Sequence, residues 1–244
     1  MAERREPVTP RWRRAAPAGL GHACIALAAA LAALPPPAAA GDLGGGLALS
    51  SQLVDRGQAI TPATPIVQGN LAWTSGGWAL GLTAAARVRA PGGHFVEAAA
   101  QAARYWTLSG EWSMQAGLLY YTYPTRRRIF DRVETGLHWT YRDVLTFGLS
   151  AASTVHTDRQ HWREAADATL RWPLTRHLSL SAGAGVARSF IHPYRPYRYG
   201  QAGLAWTEGA WHLEVVRVAS DQERPRYRGY PAAEPWVATL LWSF

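Results

Sequence analysis

The chain has 244 residues, of which 48% are hydrophobic and 11% aromatic, with a formal net charge of +8 and a single cysteine. One cysteine excludes a disulfide framework and a thiolate metal centre. No run beyond the first forty residues approaches the ~18 consecutive apolar positions that a membrane-spanning helix needs.

Residues 1–40 read as an export signal. Arg4, Arg5, Arg11, Arg13 and Arg14 make a basic start, an apolar run extends from Ala23 to Leu34, and Ala38-Ala39-Ala40 offers a small-residue cleavage point before Gly41. Pro35-Pro36-Pro37 breaks the run, which is too short for an anchor. Cleavage would take Cys24 with it, and the loss of five basic and two acidic residues leaves a formal charge of +5 on 41–244. Every basic residue of the chain is arginine.

From residue 41 onward, apolar and polar residues alternate with period two in segments of about ten residues. This is the pattern of a transmembrane antiparallel β-barrel. About twelve strands are expected, with cores at 46–56, 65–74, 77–89, 95–107, 111–122, 130–141, 144–155, 163–173, 177–189, 197–207, 210–220 and 235–244. Tight turns at 74–77, 108–111, 142–143, 174–176 and 208–209 alternate with longer links. That sorting belongs to an up-and-down barrel with short periplasmic turns and long outer loops. An even strand count puts both ends in the periplasm.

The last strand carries the strongest signal. Counting back by twos gives Phe244, Trp242, Leu240, Ala238 and Trp236, an apolar face that ends on an aromatic. Trp236, Leu240, Trp242 and Phe244 are therefore the expected assembly signal, offered to the barrel-assembly machinery. Most other tryptophans fall beside a tight turn, as an interfacial belt would.

The alternation assigns Leu47, Leu71, Leu82, Leu137, Phe147, Leu149, Leu204 and Leu213 to lipid. It leaves a small, polar inner face with Arg56, Arg87, Glu97, Arg132, Glu134, His138, Asp167, Arg171 and Glu214 lining the lumen. Arg104 and Arg217 come out facing lipid, unless they lie at the interface or a bulge turns them. Gly57 marks a place that needs positive φ or a close approach, with Arg56 beside it near the outer mouth, either open to an anion or paired with a carboxylate such as Glu97.

Three stretches carry a resemblance. They are Ser50-Ser51-Gln52-Leu53-Val54-Asp55-Arg56-Gly57-Gln58, then Pro65-Ile66-Val67-Gln68-Gly69-Asn70-Leu71, then Gly76-Gly77-Trp78-Ala79-Leu80-Gly81. Together they resemble the opening of Gcw_chp, a proteobacterial family of outer-membrane proteins. The resemblance covers about the first third of 41–244 and implies fold and location; the family supplies no catalytic residue.

Function is read in three ways. The first is a porin-like pore for small polar or anionic solutes, in which Arg87, Arg132 and Arg171 beside Glu134, Asp167 and Glu214 set a transverse field. The second is a non-conducting barrel with a salt-bridged lumen, serving the envelope or contacting lipopolysaccharide. Its surface anion contacts would be Arg126, Arg127, Arg128, Arg195, Arg198, Arg224, Arg226 and Arg228. The third is a membrane-embedded hydrolase that uses a serine with His138, His156, His161 or His212, although no nucleophile motif or fixed spacing unites them. No cofactor or metal is expected, and export argues against a nucleic-acid partner. The expected partners are outer-membrane lipid, lipopolysaccharide, the assembly machinery and a small anionic solute.

Overall fold

The computed structural model describes residues 41–88, 95–124, 131–155, 162–188, 195–222 and 233–244. The export signal expected at 1–40 lies outside them, as do Arg126, Arg127, Arg128, His156, His161, Arg224, Arg226 and Arg228. In chain order the strands are β1 (Asp42–Ser50), β2 (Val54–Asp55), β3 (Gln58–Ala59), β4 (Ile66–Ser75), β5 (Trp78–Arg87), β6 (Phe95–Thr107) and β7 (Trp112–Thr122). They continue as β8 (Arg132–Tyr141), β9 (Leu145–Thr154), β10 (Arg163–Pro173), β11 (Leu178–Arg188), β12 (Pro196–Glu208), β13 (Trp211–Ser220) and β14 (Trp236–Ser243).

Each long strand pairs antiparallel with its neighbours in sequence, and β1 pairs with both β4 and β14. The result is a closed barrel of twelve strands, while β2 and β3 pair only with each other. Closure leaves no sheet edge, so the backbone groups of the wall are paired within it, as hydrocarbon requires. At the seam, the Phe244 amide donates to the Gly45 carbonyl and the Gly45 amide to the Phe244 carbonyl, both at 3.0 Å.

The face assignment holds on the outside. Leu43 is 68% exposed, Leu82 60% and Phe244 63%, on a surface that only an apolar medium would cover. Trp73, Trp78, Trp106, Trp112, Trp139, Trp172, Trp206, Trp211 and Trp242 gather at the tight-turn end of the barrel. Arg142 and Asp143 both have positive φ, 50° and 57°, as a two-residue hairpin turn with the strand twist demands.

One expected strand is corrected. The segment 46–56 is not a single strand: β1 ends at Ser50, and residues 51–65 leave the wall and fold into the barrel. Pro62 and Pro65, which cannot donate to a ladder, stand in this segment.

Candidate functional site

The inserted segment is built around the β2–β3 hairpin. Its turn is Arg56-Gly57, with φ 47° and 74°, so both residues are left-handed and only the second is a glycine. The base is tied by its own polar groups. The Leu53 amide donates to Thr61 Oγ1 at 3.0 Å, the Gln52 side-chain amide to the Thr61 carbonyl at 2.8 Å, and the Ile60 amide to the Leu53 carbonyl at 2.9 Å. A bond from the Glu234 amide to Gln52 Oε1, at 2.8 Å, fastens it to the approach of β14.

The insert packs on the inner wall through apolar contact. Leu53 and Ile60 meet Ile66, Ala85, Val96, Ala99, Leu119, Tyr121 and Tyr123 from β4–β7 and the residue after β7. The expectation of an inner face that is only polar and small is therefore corrected on this side. Burying Leu53, Leu119 and Tyr121 removes roughly 2 kcal/mol of apolar exposure per side chain, which is what draws the segment in. A register shift between Ala85 and Ala86 marks a bulge opposite Val96, and it lets both Val96 and Glu97 be buried.

Charge fixes the tip. Arg56 is ion-paired with Glu134 on β8 and donates to Ser150 Oγ on β9 at 2.8 Å. Arg132 Nη2 lies 3.0 Å from Asp55 Oδ2, and its Nε lies 3.9 Å from Glu134 Oε2. The Arg132 guanidinium also sits 4.2 Å from the centre of the Tyr121 ring. These four charges are nearly sealed from solvent, with Glu134 at 0% exposure. Arg56 is thus not at the pore mouth, and its partner is Glu134 rather than Glu97. Glu97 is buried on β6 beside the Tyr123 hydroxyl.

The other lumenal charges stand apart from this network. Arg171, His212, Glu214 and Ser181 form a second group nearer the tight turns. Ser181 Oγ donates to Glu214 Oε1 at 2.6 Å, and Arg171 Nη2 lies 4.0 Å from the same oxygen. Arg171 also faces His212 Nε2 at 3.4 Å. Because arginine only donates, Nε2 accepts, and the Nδ1 proton goes to Thr207 Oγ1 at 2.8 Å. Asp167 accepts from the Tyr199 hydroxyl at 3.4 Å, and His138 lies beside it. Gly148 makes that possible: a Cβ there would stand 2.7 Å from Asp167 Oδ1 and 2.9 Å from the His138 ring. Arg87, at the far end of β5, has no side-chain partner among the described residues. The expected single constriction of Arg87, Arg132, Arg171, Glu134, Asp167 and Glu214 is therefore corrected to separate groups at different depths.

Between the insert and the β12–β14 wall the lumen retains a cavity of ≈ 20 Å³, lined in part by Gln52, Gln68, Tyr199, Gln201, Val216 and Thr239. That is room for about one water.

The barrel resembles solved porins. It is similar to the NanC porin with a TM-score of 0.52 and 10% identity, over 83% of this chain and 99% of that one. It is similar to the KdgM porin, solved with disordered oligogalacturonate, with a TM-score of 0.50 and 7% identity, over 82% and 96%. The fold is porin-like. No family model and no curated protein sequence matches the chain.

Within this porin-like barrel, the lumenal histidines contact arginine, threonine and aspartate neighbours, and Ser181 is bonded to a carboxylate. Among the described residues, no group of three or more His, Cys, Asp or Glu is placed to hold a metal ion. Arg195 precedes β12, while Arg198 is part of β12 and points outward. Sequence reasoning missed Asp55, Ser150, Ser181 and Tyr199 as partners. All four have the parity or position of inner residues, and only the folded insert shows what they meet.

Proposed function

We propose that the chain is an outer-membrane passive channel, exported through the periplasm, which admits small polar solutes past a constriction made by residues 51–65. The observation that carries the reading is the state of the inner wall away from the insert. Gln101, Gln115, His138, Asp167, Arg171 and His212 point inward and remain only half-buried. A lumen packed shut would leave none of them accessible to solvent. The porin-like fold shared with NanC and KdgM supports the same reading.

Selection in such a channel is chiefly by size. Asp55 and Glu134 neutralise Arg56 and Arg132, so an anion would meet Arg87 at the outer end and Arg171 below the constriction. Kinship with Gcw_chp through residues 50–81 belongs to this proposal. So does recognition of Trp236, Leu240, Trp242 and Phe244 by the barrel-assembly machinery.

A second reading, a non-conducting envelope barrel, has one observation in its favour: the cavity between the insert and the β12–β14 wall is only ≈ 20 Å³. Single-channel recording of the refolded protein in a planar bilayer separates the two. Discrete current steps, with an anion share reduced by Arg87→Gln and Arg171→Gln, support the channel. A folded barrel that stays silent at every potential supports the second reading.

A further inference from the structure

Among the described strand residues, four arginines have outward parity: Arg104, Arg188, Arg198 and Arg217. Arg104 is at the tight-turn end and is satisfied by the protein. It donates to the Gly76 carbonyl and lies 5.3 and 6.0 Å from the ring centres of Trp78 and Trp106. The other three lie towards the opposite end, on three consecutive strands. Arg188 closes β11 and is held by Glu164 at 3.1 Å, with both side chains more than half exposed. Arg198 and Arg217 are exposed, and neither side chain has a hydrogen bond or ion pair with another described residue.

The register sets their spacing. Val186 faces Arg198, so Arg188 stands two residues above that level, ~7 Å along its strand. Ala202 faces Arg217, four residues or ~13 Å along β12 from Arg198. Around Arg217 the outward surface is apolar: Leu204 is 48% exposed, Val215 38%, and Trp236, opposite Arg217, 60%. Beside Arg198 stands the exposed Asp221, which accepts from the Arg198 backbone amide at 2.6 Å and makes no ion pair with its guanidinium. A guanidinium stays ionised in every setting, so an outward arginine at the rim of an apolar wall reaches either interfacial water or an anion of the membrane surface.

We infer that the outer edge of β11–β13 is a docking site for lipopolysaccharide, with its phosphates on Arg198 and Arg217 and its acyl chains along Leu204 and Val215. The long-link end of such a barrel faces the cell surface, where that lipid is found. The chemistry selects it over a zwitterionic phospholipid. A phospholipid ammonium neutralises its own phosphate, whereas the lipopolysaccharide disaccharide carries phosphates with no internal counter-cation. Arginine takes phosphate through two parallel hydrogen bonds. The site rests on the outer-membrane location proposed above but is independent of conduction.

The test is a titration of the refolded protein with purified lipopolysaccharide in detergent, on wild type, on an Arg198→Gln/Arg217→Gln double variant, and on Arg104→Gln. Saturable binding is expected for wild type and Arg104→Gln, and binding about tenfold weaker or more for the double variant. Dephosphorylated lipopolysaccharide should bind wild type as weakly as the intact lipid binds the double variant. Should the double variant fail to fold, as judged by its heat-dependent gel mobility, the two single variants give the same readout. The inference is overturned if the variants bind as tightly as wild type, if dephosphorylation has no effect, or if phosphatidylethanolamine competes equally. Conductance is recorded on the same preparations. A silent barrel that binds the lipid sinks only the channel, and a conducting barrel that does not bind sinks only this site.

Discussion

Arg56 and Glu134 are ion-paired across the lumen, joining the tip of a segment that leaves the wall after β1 to β8 on the far side. Glu134 is fully buried, so the pair is shielded from water and salt. Replacing Glu134 with Gln keeps the shape but leaves Arg56 and half of Arg132's contacts without a counter-charge. Loss of one member of a buried pair costs about 3–5 kcal/mol. The variant should unfold at lower urea and show larger or noisier current steps. An unchanged conductance would exclude residues 51–65 as the constriction.

Gly57 and Gly76 both have positive φ, 74° and 54°, but they differ in surroundings. A Cβ on Gly57 would stand 2.9 Å from the Cβ atoms of Ser220 and Tyr199, whereas Gly76 has nothing within 4 Å. Gly76→Ala should cost only the left-handed penalty of about 1–2 kcal/mol. Gly57→Ala should cost that plus a packing term of about 1–3 kcal/mol, and it alone should alter the current. Comparing the two unfolding midpoints and conductances checks this.

Leu53 is the apolar anchor of the insert, at 3% exposure, while Leu71 on β4 faces outward at 44%. Leu53→Ala should lose about 2–5 kcal/mol and loosen the segment, which protease accessibility at residues 51–65 would report. Leu71→Ala should lose far less and leave that accessibility unchanged.

A surface pair joins Arg142, in the tight turn between β8 and β9, to Glu111, in the tight turn between β6 and β7. Hydrogen bonding from Arg142, chiefly, holds the Glu111 carboxyl below its ordinary pKa, and the Nε bond measures 2.8 Å. A carboxylate with a lowered folded pKa stabilises the fold above its unfolded value, about 4.3, and that contribution is lost as pH falls through the lowered value. Both groups are exposed, so the effect is small. The difference in midpoint between wild type and Glu111→Gln should be present at neutral pH and vanish in acid. A difference that grows in acid would contradict the assignment.

The wall was legible in the sequence because two physical rules fix it. Period-two alternation assigned the outward Leu and Trp residues, and the sorting of short and long links gave twelve strands and their order. The insert was not legible, since its docking surface comes from strands far apart in the chain. Two local signs nevertheless stand in the sequence. Leu53-Val54 breaks the alternation just where β1 has ended, and Pro62 and Pro65 interrupt the stretch between there and β4. Leu118-Leu119-Tyr120-Tyr121 is apolar on both faces, which means that something apolar covers the inner one. The lumenal charges were identified as residue types, but their partners depend on where the insert comes to rest.

The docking surface of residues 51–65 draws on strands from all round the barrel. Leu53 needs β4–β7, Arg56 needs β8 and β9, and Gly57 needs the close approach of β12 and β13. These strands surround the lumen, so the complete docking surface exists only in the closed barrel. Without the insert the closed wall would be a wider, emptier tube, and Asp55 and Arg56 would stand in water.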